Sequence, residues 1–89
     1  MLNSSFTKQF AKDLKRVLKR GKSGGKIKEI IKKLIDEEKL DAGYKNHWLI
    51  GKYKGRRECH IEPDWLLIYK IMECEIIFER TGSHFDLFK

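Results

Sequence analysis

The sequence predicts an α+β domain, in which an N-terminal hairpin of two helices packs on a small, mainly antiparallel, twisted sheet. Three observations predict it. Apolar residues recur at helical spacing through the first 35 positions, a Ser-Gly-Gly break divides that stretch in two, and the second half changes to strand-like runs separated by tight turns. The chain has 89 residues, which allows one such domain over 1–89 and excludes a multidomain enzyme. A hydrophobic content of 40% is enough for a modest core and excludes a disordered basic tail.

The elements follow in order. Residues 2–5 read as a short first strand. Phe6, Phe10, Leu14, Val17 and Leu18 fall on one face of a helix over 6–20, interleaved with Lys8, Lys12, Lys15, Arg16 and Lys19. Ser5 or Thr7 is its N-cap and Gly21 suits the position after its end. Ser23-Gly24-Gly25 breaks the chain. Ile27, Ile30, Ile31, Leu34 and Ile35 then mark a second amphipathic helix, antiparallel to the first because the link is short. The stretch 40–55 reads as loop, punctuated by Gly43, Gly51 and Gly55. Strands are expected over 56–61, 65–72 and 75–81. Glu62-Pro63-Asp64 forms the first turn, with Pro63 at its second position, and Glu73-Cys74 forms the second. Gly82 ends the last strand, and 83–88 is a short tail whose Phe85, Leu87 and Phe88 clasp the core.

Pairing Ile61 with Trp65 and Met72 with Glu75 sorts the two faces. Cys59, Ile61, Trp65, Leu67, Tyr69, Ile71, Ile76 and Phe78 then form the face the helices cover. Arg56, Glu58, His60, Lys70 and Glu79 lie on the other, with Leu66, Ile68 and Ile77. An uncovered, half-polar face that holds a histidine is a candidate ligand surface. The same simple register puts Arg80 on the helix-covered side, away from His60, unless a bulge reverses the alternation.

Charge is divided unevenly. The formal net charge is +7, and all of it lies in residues 1–45; the remainder is neutral. Such an excess favours a polyanionic partner, nucleic acid or an acidic protein. No run approaches the roughly 18 apolar residues of a membrane span. The opening Met-Leu-Asn-Ser-Ser-Phe lacks the features of a secretory signal, so a cytoplasmic protein with no membrane partner is expected. The two cysteines, Cys59 and Cys74, are neither a disulfide framework nor spaced as a zinc site. Neither a metal nor a cofactor is expected.

The chemistry available is acid–base chemistry. Cleaving RNA needs a base for the 2′-OH, an acid for the 5′-oxygen, and a cation for the phosphorane. Histidine suits both proton roles, and arginine offers a planar fork to phosphate oxygens. His60 and Asp64 flank one turn, and Arg80 and His84 flank the end of the neighbouring strand, so topology brings all four to one end of the sheet. Singly, each has an ordinary structural reading: a surface histidine, a turn aspartate, an edge arginine. Trp65 by itself reads as core.

Several blocks together resemble the YafQ branch of the RelE-like toxins of bacterial toxin–antitoxin pairs. They are Tyr44-Lys45-Asn46-His47, then His60-Ile61-Glu62-Pro63-Asp64-Trp65-Leu66-Leu67-Ile68-Tyr69, then Phe78-Glu79-Arg80-Thr81-Gly82-Ser83-His84 and Leu87-Phe88. The resemblance covers nearly the whole chain and implies a RelE-like fold. It also implies a ribosome-dependent endoribonuclease that cuts mRNA in the A site, neutralised by a cognate antitoxin, with operator DNA met only through the antitoxin complex. Carried over position by position, His84 is the general acid. Asp64 or His60 is the base, with the other orienting it. Arg80 binds the scissile phosphate, His47 completes the site, Trp65 lies beside it on the substrate side, and Phe88 stacks on or positions a base. The sequence departs from relatives at His47-Trp48, where a proline often follows the histidine. Lys12, Lys15 and Lys19 are placed against ribosomal RNA or an acidic antitoxin segment. The alternatives are a ribosome-independent ribonuclease, a non-catalytic nucleic-acid-binding module, or an interaction partner with a degenerate site.

Overall fold

Thr7 starts the first helix. Its backbone is extended and its hydroxyl accepts the Phe10 N–H at 2.9 Å, so of the two candidate caps this one serves. The computed structural model describes residues 1–49 and 55–88. Helix α1 (Lys8–Lys19) buries Phe10, Asp13 and Val17. Gly21, at φ +92°, turns the chain away from it. Ser23 then caps helix α2 (Gly24–Ile35) by accepting the Lys26 N–H. The expected Ser-Gly-Gly break is therefore a helix start, with both glycines in the first turn. Ile27, Ile30 and Leu34 make the buried stripe of α2.

Strands β1 (Asn3–Phe6), β2 (His47–Trp48), β3 (Arg57–Glu62), β4 (Trp65–Met72) and β5 (Glu75–Gly82) form one sheet in the order β1-β5-β4-β3-β2. The β1–β5 pair is parallel and the others are antiparallel. The stretch expected to be loop thus holds a 3-10 turn (Ala42–Tyr44) and β2, which pairs His47 with Glu58 and Trp48 with Arg57. Gly51, one of its expected breakers, lies outside the described residues.

Register decides what shares a face. Cys59 opposes Leu67, Tyr69 opposes Phe78 and Ile71 opposes Ile76, as the alternation predicts. Two slips correct the rest. Glu62, not Ile61, opposes Trp65, which leaves Pro63-Asp64 as a two-residue turn with Ile61 as the extra residue. In β5 the register shifts after Phe78, so Glu79 is extra and Arg80 opposes Ile68. That bulge reverses the alternation and brings Arg80 onto the face of Ile68, away from the face the simple register gives it.

The main core gathers Cys59, Ile61, Trp65, Leu67, Tyr69, Ile76 and Phe78 from the sheet, beneath α1 and α2. Burial pushes the Cys59 thiol up to about 12, so it stays protonated. The other face is not uncovered as expected. Leu66 and Ile68 are fully buried there, beneath Leu87 and packed against Leu49. Leu87 belongs to helix α3 (His84–Phe88), which replaces the expected tail. Only Leu87 of the three expected clasp residues is buried; Phe85 and Phe88 are exposed. No described helix is long and apolar enough to cross a membrane.

Helix α3 is held by a reciprocal cap. The Asp86 N–H donates to Ser83 Oγ at 3.1 Å, and the Ser83 N–H donates to Asp86 Oδ2 at 3.0 Å. Arg20, the C-cap of α1, reaches the same carboxylate through two nitrogens, at 2.7 and 3.2 Å. A Cβ on Gly82 would lie 2.9 Å from Asp86 Oδ2, so only glycine fits against this cap. The Arg20 bond, then the Ser83 donors, hold the Asp86 carboxyl far below its ordinary value of 3.8.

A carboxylate depressed on folding binds fewer protons than its unfolded counterpart. Its stabilisation is present above the unfolded pKa and fades as pH falls through the folded one. Thermal melts between pH 7 and pH 2 are expected to show the wild type losing stability below about pH 4. Asp86→Asn is expected to melt lower at pH 7 and to show a shallower acid slope. Identical slopes for the two proteins would contradict this account.

Candidate active site

The site lies where the β3–β4 turn meets the β5–α3 junction. Asp64, the second residue of that turn, points its Oδ1 at His84, the first residue of α3. It accepts the His84 backbone N–H at 2.9 Å and lies 2.7 Å from His84 Nδ1. A carboxylate can only accept, so the Nδ1 nitrogen carries the proton, which leaves Nε2 on the side of the ring away from Asp64. The backbone bond first, then the imidazole, hold the Asp64 carboxyl below its ordinary value. Asp64 is therefore ionised at neutral pH and fixes the tautomer and direction of His84. Both groups stay more than half exposed.

His60 stands behind this pair. Its ring centre is 5.7 Å from that of His84 in an edge-on arrangement and 6.1 Å from that of His47. The Phe88 ring lies 6.3 Å from His84 on its other side. Five of the residues singled out from sequence thus converge: His47, His60, Asp64, His84 and Phe88. His47 arrives because β2 pairs with β3, a strand the sequence reading took as loop.

Glu58 was missed as a site residue, although its i, i+2 spacing from His60 places it on the same face. It is 5% exposed, with Oε2 2.9 Å from His47 Nε2 and 3.8 Å from His60 Nε2. His47 Nδ1 donates to the Trp48 carbonyl, 3.0 Å away, which leaves Nε2 facing Glu58. The other carboxylate oxygen, Oε1, is buried with no hydrogen-bond partner among the described residues. One atom each from His47, Glu58 and His60 lies within 4.8 Å of the others, a spacing able to hold a metal ion. The sequence reading looked for metal ligands at cysteine spacings, and this group forms only across the β2–β3 pair.

Two residues sit differently from expectation. Trp65 is 1% exposed, and its indole N–H donates to Thr81 Oγ1 at 3.0 Å. Thr81 Oγ1 in turn donates to the Leu66 carbonyl. Trp65 therefore braces β4 against β5 from inside the core and does not offer a surface to substrate. Arg80 begins on the Ile68 face, but its guanidinium is tied to helix α1, with Nε 2.6 Å from Asp13 Oδ2.

An open cleft of about 640 Å³ adjoins the histidines, lined by His60, His84, Glu62, Pro63, Tyr44, Lys45 and Lys26 among others. Glu62 is neutralised there by Lys22 and Lys26, at 2.7 and 3.0 Å. Lys12, Lys15 and Lys19 are exposed on α1, in the helix layer on the opposite side of the sheet from His60. They share a shallow groove with Arg16 and Arg20.

The chain and its fold are matched in known proteins. The family described as the bacterial toxin of type II toxin–antitoxin system, YafQ, matches residues 2–89. The Escherichia coli K12 protein named mRNA interferase toxin YafQ is 45% identical over 84 residues, covering 93% of this chain and 91% of that one. Among solved structures, a chain of the E. coli DinJ–YafQ complex is 42% identical, with a TM-score of 0.93 over the full length of both chains. A metal-bound toxin from Helicobacter pylori is 40% identical, with a TM-score of 0.91 over 99% of this chain and 100% of that one. The chain belongs to the YafQ family of bacterial type II toxin–antitoxin toxins.

Proposed function

We propose that this protein is a ribosome-dependent mRNA endoribonuclease, acting in the cytoplasm and neutralised by a cognate antitoxin. The observation that carries the chemistry is the Asp64–His84 bond, set one imidazole away from His60. In this reading the scissile phosphate sits between His60 and His84. His60 takes the proton from the 2′-OH, and the freed oxygen attacks phosphorus. His84, oriented by Asp64, gives its Nε2 proton to the departing 5′-oxygen. The products are a 2′,3′-cyclic phosphate and a 5′-OH, and the proton count balances through one base and one acid. Arg80, anchored on Asp13, is assigned in this reading to the charge that builds on the phosphorane. His47, held by Glu58, closes the site on the β2 side, and Phe88 offers a ring to a neighbouring base.

The adjoining cleft has room for a nucleotide and places Tyr44, Lys45 and Lys26 along it. The E. coli relative is named an mRNA interferase, and its structural counterpart was solved with DinJ, which supports RNA as substrate and an antitoxin as partner. The +7 charge of residues 1–45 supports docking on ribosomal RNA through the helix layer. The whole chain, 1–89, acts as one toxin domain, and operator DNA is reached only through the antitoxin complex.

A second reading adds metal control of the same site. The orphaned, buried Glu58 oxygen between two imidazoles fits a divalent cation, and the H. pylori relative is described as metal-bound. His47, Glu58 and His60 would hold the ion, which supplies a fixed positive charge and occupies imidazole lone pairs needed for base chemistry.

Three outcomes are expected. His84→Ala and His60→Ala each lower the maximal cleavage rate of ribosome-bound mRNA by about 10²–10⁴-fold while ribosome binding is retained; full activity in both would overturn the assignment. Reversing the charge of Lys12, Lys15 and Lys19 to Glu weakens ribosome binding and flattens its dependence on salt, with a salt slope shallower by about 0.7–0.9 per lost phosphate contact. An unchanged slope would return these lysines to ordinary solvated surface. Calorimetric titration with Zn²⁺ or Cu²⁺ shows one site that Glu58→Gln abolishes and that inhibits cleavage until a chelator is added; equal binding by Glu58→Gln would remove the metal reading.

A further inference from the structure

Asp13 binds more partners than any other carboxylate among the described residues, yet it lies on a helix outside the histidine cluster. It is 1% exposed. Its Oδ2 accepts from Arg80 Nε at 2.6 Å and from the Thr81 backbone N–H at 3.2 Å. Its Oδ1 accepts from Gln9 Nε2 at 3.0 Å, Arg16 Nη2 at 3.2 Å and Arg80 Nη2 at 3.4 Å. Strand β1 pairs with β5 only as far as Phe78, so beyond the bulge the outer edge of β5 has no strand beside it among the described residues. Asp13 fills that place, binding the backbone of Thr81 and the side chain of Arg80 together.

We propose that Asp13 is a positioning residue for cleavage, holding the Arg80 guanidinium from the core side so that it meets the scissile phosphate in one orientation. The inference rests on the proposed role of Arg80 as the phosphate ligand. A guanidinium fixed along its Nε edge by a buried carboxylate cannot swing among the rotamers open to a free arginine. Its fork is therefore set before substrate arrives, and little reorganisation remains for the reaction step. The Thr81 bond adds to this, because the same carboxylate fixes the backbone from which Arg80 springs. Gln9 and Arg16 satisfy the remaining acceptor capacity, so the carboxylate is itself held. An aspartate kept only for stability would have no reason to act through Arg80, and that difference is measurable.

The experiment is a double-mutant cycle of Asp13→Asn and Arg80→Ala, read as the kcat and KM for cleavage of ribosome-bound mRNA, with thermal melts of all four proteins. Asp13→Asn alone is expected to lower kcat by about 100-fold, the loss typical of a catalytic group misplaced by about 1 Å, and to leave KM unchanged. In the Arg80→Ala background Asp13→Asn is expected to cause no further loss of kcat, whatever it does to the melting temperature. Equal losses in both backgrounds, an effect on KM alone, or an unchanged kcat would each overturn the proposal. Should Asp13→Asn fail to fold, Asp13→Glu keeps the charge, moves it by one methylene, and runs through the same cycle with the same outcomes. A fully active Arg80→Ala protein overturns the reading of Arg80 and this proposal with it. An inactive Arg80→Ala protein with an independent Asp13→Asn loss overturns this proposal alone.

Discussion

Between Phe78 and Arg80, strand β5 carries one residue more than β4 can pair, and much of the molecule turns on that bulge. Before it, alternate β5 residues face the helices. After it, the alternation is reversed, so Arg80 stands opposite Ile68 on the face shared with Glu58, while Thr81 turns inward to Trp65. A one-residue slip moves every following side chain to the other face. The second slip, at Ile61, does similar work at the facing turn. It tightens the connection to Pro63-Asp64 and delivers the Asp64 carboxylate to His84. The Ile61 slip lies at the β3–β4 turn and the bulge at the middle of β4, and at both places regular pairing gives way and side chains are re-aimed.

Helix α1 holds the end of β5 in place. Asp13 meets Arg80 and Thr81, and Arg20 meets Asp86, so one helix grips both the end of β5 and the start of α3. The grip is made of charges opposed in sign, with both carboxylates buried, Arg80 mostly buried and Arg20 about half exposed. It joins the basic first half of the chain to the neutral second half. Trp65 completes the support from within, tying β4 to β5 through Thr81. A large apolar ring with a single donor suits a buried position where that donor has a partner.

The two halves divide the electrostatic work. The exposed lysines of α1 carry net charge outward, in the helix layer, where it acts over a screening length of about 8 Å at physiological salt. The histidines lie on the other face, each governed by a carboxylate at short range: Asp64 for His84, and Glu58 for His47 and, at longer distance, His60. Local pairing orients these rings at short range. The cluster is thereby built by placement, and the basic surface is left for partners.

Periodicity in the sequence sufficed for the two helices, for the bounds of Trp65–Met72 and for the helix-covered face of Cys59, Leu67, Tyr69, Ile76 and Phe78, because burial imposes a period of 3.6 or 2 directly on the residue order. The resemblance of the His60–Tyr69 and Phe78–His84 blocks pointed to the histidines and Asp64, since local motifs survive without knowledge of their partners. Contacts between distant segments were decided only by the tertiary structure. The parallel β1–β5 pair, the β2 strand that brings in His47, the bulge at Glu79, and the roles of Glu58 and Asp13 all depend on residues separated by 9 to 72 positions. No periodic signal marks such pairings. A bulge is one residue added to an otherwise regular alternation, and a buried aspartate on a lysine-rich helix looks like surface until the arginine it meets, 67 residues later, is folded against it.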